Sequence, residues 1–248
     1  MLSLSRILSL LFLVSLLSPA LAQEKELTPQ QAKAAFAKAD KALNDAWAAA
    51  KAKLPEETFA KLKEDQKAWV EYRDYLARSP MYTGAEGSDE LSLESPEYME
   101  AAAALEEDRT RWLKGLVREW EAEEPLTGQW TDSYGGSVQV VEKDGKLHFI
   151  IECVRGPTSH TGGLAGIAAW NSTIGWFSDK GRDPAKEDET NLSFILRDQK
   201  LEVIGANTSE YHGARAYFDG EYVKTGKLSA KAQAAVLKAA KSGELPEE

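Results

Sequence analysis

The feature that most constrains the fold is a change of character near Pro125. Residues 23–124 are rich in Ala, Glu, Lys and Leu and poor in β-branched side chains. After Pro125 come Gly, Val, Ile, Thr and aromatic residues in short alternating runs. A helix buries side chains three or four apart, and a half-buried strand buries alternate ones. Both patterns in succession predict an α+β two-domain chain. An N-terminal antiparallel bundle of about three helices leads into a small antiparallel β-barrel or sandwich, and a short C-terminal helix follows. The expected divisions are a signal peptide over 1–22, a helical domain over 23–124, a β domain over 125–225 and a C-terminal helix and tail over 226–248. At 248 residues the chain is long enough to bury two cores.

Three helices are expected in the first half. Thr28-Pro29-Gln30-Gln31 reads as a capping box with proline at the first helical position. From there Phe36, Ala39, Leu43, Trp47, Ala50 and Leu54 recur at helical spacing until Pro55. A second helix carries Phe59, Leu62, Trp69, Tyr72 and Leu76 as far as Ser79-Pro80. The third starts at Ser95-Pro96-Glu97 and carries Tyr98, Ala102, Leu105, Trp112, Leu116 and Trp120. Stripes of this kind pack as an antiparallel bundle. Between the second and third helices, residues 81–94 form a long acidic loop, which is either functional or merely flexible.

Strands are predicted over 129–134, 137–142, 146–154, 164–170, 173–178, 191–197, 200–206 and 214–224, the last broken at Asp219-Gly220. Gly135-Gly136, Asp144-Gly145 and Asp198-Gln199 supply turns. Seven or eight short strands at even spacing suit a small barrel or sandwich. The segment Tyr211 to Tyr222 reads as an aromatic hairpin, either a binding face or ordinary cross-strand packing. From Ser229 an Ala/Lys-rich helix presents Ala232, Ala235, Val236 and Ala239 to one of the two halves.

The chain's ends and charge narrow its function. Arg6, the apolar run Ile7 to Leu17 and the small residues of Ser18-Pro19-Ala20-Leu21-Ala22 read as a signal peptide cleaved after Ala22. A periplasmic or secreted protein with no later membrane span is expected. The net charge of −10 argues against a nucleic-acid partner, which would need a basic face. Residues 23–124 hold 15 basic against 23 acidic side chains, so the helical half carries most of the negative field and favours a basic partner. Cys153, the one cysteine, reads as a small buried hydrophobe. The three histidines, His148, His160 and His212, have no zinc spacing, and there is no G-x-S-x-G, P-loop or dinucleotide fingerprint. Neither a cofactor nor a metal is expected, and a non-enzyme is favoured.

Polar residues interrupt the apolar stripes of the helices. Asp40 and Asn44 lie one turn apart, Gln66 and Arg73 flank Trp69, and Arg109 falls in the third stripe. They form either a polar site between helices or a set of register-fixing bonds with Asp40 facing Arg73 or Arg109. Ala39-Asp40-Lys41-Ala42-Leu43-Asn44-Asp45-Ala46-Trp47, followed by Leu62 to Asp74 with Gln66, Trp69, Arg73 and Asp74 in order, resembles the N-terminal domain of LprI-type lysozyme inhibitors. The resemblance spans roughly residues 28–120. It implies a small exported helical domain in which Asp40, Leu43, Asn44, Trp47, Gln66, Trp69, Arg73 and Asp74 are family positions, structural in role.

The resemblance further implies a protein that binds and inhibits lysozyme-type muramidases, with a basic lysozyme or other muramidase as partner. A blocker must plug a cleft whose chemistry rests on two carboxylates. The stretch Arg155 to His160 offers a cation and hydroxyls, so Arg155, Ser159 and His160 are candidate contacts. Glu86, Asp89 and Glu90 of the acidic loop would meet a basic rim. The alternative is a periplasmic binding or envelope-scaffolding module with no lysozyme activity.

Overall fold

The computed structural model describes residues 27–121, 124–182 and 188–246; the predicted signal peptide lies outside them. Helices α1 (Pro29–Lys53), α2 (Glu56–Ala77), α3 (Pro80–Thr83) and α4 (Pro96–Leu116) come first. Strands β1 (Gly128–Thr131), β2 (Gly136–Lys143), β3 (Lys146–Arg155), β4 (His160–Trp170), β5 (Ile174–Ser178), β6 (Asn191–Arg197), β7 (Lys200–Ala206) and β8 (Gly220–Gly226) follow, and α5 (Ala230–Ser242) closes the chain.

Local chemistry sets the helix starts. The Thr28 hydroxyl accepts from the Gln31 amide while the Gln31 side chain accepts from the Thr28 amide, the reciprocal pair of a capping box. Ser79, Ser95 and Ser229 cap α3, α4 and α5 through their hydroxyls. Leu43, Ala46, Ala50, Phe59, Leu62, Trp69, Trp112 and Leu113 form the core of the helical region. Val223 of β8 is buried in the same cluster, so this core continues into the barrel wall.

The eight strands join in sequence order, all antiparallel, and β1 pairs with β8 to close a barrel. Closure removes both sheet edges. Alternation does the rest: Trp130, Phe149, Phe177, Phe194, Phe218 and Tyr222 fill the interior, and outward residues face solvent or a helix. α5 lies on the outer wall of β2–β4, where Val236 and Ala239 pack on Val141, Ile150 and Ala165.

Three expectations need correction. Helix α4 stops at Leu116, so Trp120 is not part of its stripe; it packs on Trp130 of the barrel at 5.5 Å. The segment 211–222 is not a hairpin. A 3₁₀ turn at Ser209–Tyr211 and an irregular run precede β8, and Phe218 and Tyr222 turn into the core. β4 begins at His160 rather than Leu164, because the glycines at 162 and 163 pair in register with Cys153 and Glu152.

The connection between the halves is pinned by charge. Glu124 accepts from Arg118 at 2.6 and 2.9 Å and from Lys224 at 2.8 Å. The Arg118 hydrogen bonds, aided by Lys224, hold its carboxyl down to about 2. Gly115 lets α4 approach β8 closely, since a Cβ there would stand 2.6 Å from the Lys224 carbonyl oxygen.

Candidate functional site

The positions of α1 and α2 that carry the resemblance lie mainly in the interior and its seams. Leu43 and Trp69 are buried, and Trp47 stacks on Phe59 at 4.9 Å. Asp40 and Asn44 are exposed and bond to each other at 3.1 Å. The expected pairing of Asp40 with Arg73 or Arg109 is therefore replaced by other partners. Arg73 donates to Asp74 at 2.7 Å and to Glu106 at 2.6 Å, and Tyr98 donates to Asp74 at 2.7 Å. Arg109, fully buried, donates to Gln66 at 2.9 Å and pairs with Asp65. Among the described residues Arg73 and Arg109 form their ion pairs with Asp74, Glu106 and Asp65, and none with Asp40. These bonds fix register between helices; sequence reasoning missed Asp65 and Glu106. Glu106 had a signal, since it falls four residues after Ala102 and three before Arg109 on the buried stripe.

Glu106 has one consequence for stability. Burial pushes its carboxyl up to about 7, against the pull of Arg73 and with help from the Asp40 charge. The folded chain then holds a proton that the unfolded chain releases near the ordinary value of 4.5. The sign follows: this group's contribution is fully present below about 4.5 and is lost as pH rises to about 7. Glu106→Gln, neutral and nearly isosteric, should flatten that fall. Urea unfolding of both proteins between about pH 4 and about pH 8 checks it, and parallel stability profiles would refute it.

The two predicted contact segments meet at one edge of the molecule. The Ser79 hydroxyl donates to the Pro157 carbonyl at 2.9 Å, which joins the start of α3 to the 156–159 turn. The acidic loop leaves α3 at Gly84 and is tied back through Arg78. The Leu91 amide donates to the Arg78 carbonyl at 2.9 Å, Arg78 Nε donates to the Leu91 carbonyl at 3.2 Å, and the guanidinium pairs with Glu90 at 2.7 Å. Glu86, Asp89, Glu90 and Glu94 are exposed along this loop, and no basic residue interrupts residues 79–95. Met81 and Leu93, in the same segment, are 68% and 54% exposed. The segment thus sets two exposed apolar side chains among carboxylates.

Arg155 has a different place from the one its neighbours suggested. It is the last residue of β3, buried to 3% exposure, and pairs with Asp132 at 2.6 Å. It also donates to the carbonyls of Tyr134, at 2.6 Å, and Tyr217. Its side chain points inward because Leu147, Phe149, Ile151 and Cys153 alternate with outward residues along the same strand, and 155 continues the inward series. It presents no cation to a partner. Ser159, held at φ +49°, and His160 are half-buried at the turn and at the start of β4.

Residues 21–113 match the family model described as lysozyme inhibitor LprI. The LprI-matching region covers α1–α4 nearly to their end and includes the whole acidic edge; the barrel lies beyond it. No curated protein and no solved structure matches the chain. The match is to a family of inhibitors rather than of enzymes. Among the described residues no helix is long and apolar enough to cross a membrane, and no group of three metal-ligating side chains occurs.

Proposed function

We propose that the protein is exported to the periplasm or beyond the cell and inhibits lysozyme-type muramidases by binding them through the α3 edge. The observation that carries the reading is the exposed strip of Met81, Glu86, Asp89, Glu90, Leu93 and Glu94, which lies inside the LprI-matching region. A basic muramidase is drawn to this strip by long-range attraction, and contact then buries the two apolar side chains. Ser159, on the turn joined to α3, supplies a hydroxyl beside the strip. The Sec-type leader read from residues 1–22 and the acidic helical half agree with this role.

The test is association with a basic c-type lysozyme at low and moderate salt, together with loss of turbidity of peptidoglycan-walled cells. Binding and inhibition are expected at low salt, with an on-rate that falls as salt rises. Neutralising the strip (Glu86→Gln, Asp89→Asn, Glu90→Gln and Glu94→Gln together) should slow association about tenfold and flatten the salt dependence. No association at micromolar concentration would sink the reading. The scaffolding alternative would then gain ground from Ile174, Trp176 and Ile204, which stand 46–54% exposed on the barrel wall.

A further inference from the structure

Between the helical region and the barrel lies a cleft of about 590 Å³. Its barrel side is formed by Gln129, Thr131, Ser137 and Thr225, outward residues of β1, β2 and β8, with Val154 of β3 and the glycines at 135, 136 and 226 beside them. Across from them stand Leu76, Leu105 and Tyr82, and the ion pair Asp108–Arg111 belongs to the same lining. The other place where a helix covers the barrel wall is built differently. Beneath α5 the outward residues are Val141, Ile150 and Ala165, and the contact is apolar. A wall that mixes hydroxyls and a carboxamide with glycines and one valine, opposite leucines, is a poor design for packing a helix. It is a good one for a ligand with many hydroxyls and some apolar surface.

Two further facts bear on the ligand's chemistry. Ser133 lines the cleft, is 8% exposed, and its hydroxyl has no partner among the described residues. That oxygen is buried beneath the lining, so it adds polarity to the floor of the cleft without itself reaching a bound molecule. Asp108 and Arg111, the charged side chains among the described lining residues, pair with and cancel each other. On a chain of net charge −10 such a lining selects against neither sign, and it offers nothing specific to an ion. A peptide strand is disfavoured as well, because the closed barrel has no free edge to extend.

We propose that this cleft binds a short neutral oligosaccharide, its hydroxyls bonded by Thr131 and Ser137 and donating to the side-chain oxygens of Gln129 and Thr225, whose own donors are directed at the Trp130 and Gln129 carbonyls, and its apolar ring faces laid against Tyr82 and Leu105. The volume falls within the usual range for small-molecule sites. The open mouth and small number of polar contacts place the affinity near the millimolar range, as for other sites with little preorganised burial. The inference does not depend on muramidase binding, and its test contains no muramidase.

The experiment titrates purified protein with chitotriose and, separately, with cellotriose, following amide shifts by NMR up to about 10 mM. Saturable binding of at least one sugar, with shifts at residues 131–137 and 225, is the expected result. Thr131→Trp and Ser137→Trp, two independent outward substitutions that fill the cleft, should each weaken it at least about tenfold. Trp176→Ala, on the exposed wall of β5, should leave it unchanged. Failure of both sugars to bind, binding that both cleft-filling variants leave intact, or loss of binding in Trp176→Ala alone would overturn the proposal. So would saturation by a neutral tetrapeptide in place of either sugar.

Discussion

Arg155→Ala is expected to destabilise the protein by about 3–5 kcal/mol. The guanidinium is 3% exposed and stands 2.6 Å from Asp132, which is itself 9% exposed. Asp132 also accepts from the amides of Tyr134 and Gly136, both at 2.8 Å, so it organises the β1–β2 turn. Removing the cation leaves a buried carboxylate without its counter-charge and frees the carbonyls of Tyr134 and Tyr217. The cost comes from that uncompensated charge rather than from the net value of the pair, which desolvation offsets. A double variant, Arg155→Met with Asp132→Asn, should therefore recover much of the loss, and the coupling measured by the cycle should exceed about 1 kcal/mol. Urea unfolding checks both. A single-variant loss below about 1 kcal/mol would show that the pair is not what holds this turn. Any weaker muramidase binding by Arg155→Ala would then follow from a loosened turn, whereas Ser159→Ala tests the surface directly.

Arg155 also shows why parts of the molecule were legible and others were not. The residue precedes Gly156-Pro157, a local signal for a loop, and that signal suggested an exposed cation. The competing signal was the period of two from Leu147 through Cys153, which carries on to 155 and places it inside. The longer pattern won because a closed barrel leaves no choice of face. Helices α1, α2 and α4 were readable for a related reason. Their caps and their 3.6-residue stripes both lie within one segment, so local chemistry and burial agree. Barrel and sandwich could not be separated in advance, because the bond that decides between them pairs Trp130 with Lys224, and no local pattern records a partner so distant. The acidic loop was visible as composition alone. Its attachment to the 156–159 turn through Ser79 and Pro157 depends on how the two halves pack. Asp40 misled for the opposite reason: it lies in a motif with Arg73, yet adjacency in a motif says nothing about which helix face a side chain takes.

Trp69→Ala should cost about 3–5 kcal/mol and should loosen the barrel as well as the helices. Trp69 is 1% exposed in the helical core, with the guanidinium of Arg109 5.4 Å from its ring and that of Arg73 6.0 Å away. Its indole Nε1 donates to the Ser133 carbonyl at 3.1 Å, across the junction with the barrel. Tyr72 and Tyr134 reinforce the same seam: Tyr72 donates to the Tyr134 carbonyl at 3.1 Å, and Tyr134 donates to Asp65 at 2.9 Å. Trp69 and Tyr72 of α2 thus form a seat for the β1–β2 turn, and that turn lines the cleft. Trp69→Phe keeps most of the apolar volume and removes the hydrogen bond, so it should cost only about 1–2 kcal/mol. Hydrogen exchange separates the two effects. In both variants the amides of Tyr134 and Gly136 should exchange faster, because the turn loses its anchor. In Trp69→Ala alone the buried amides of α2 and α4 should follow. If those turn amides keep their protection while the helical core loosens, the indole serves only to fill space. The junction would then rest on the tyrosines and on the Glu124–Lys224 pair instead.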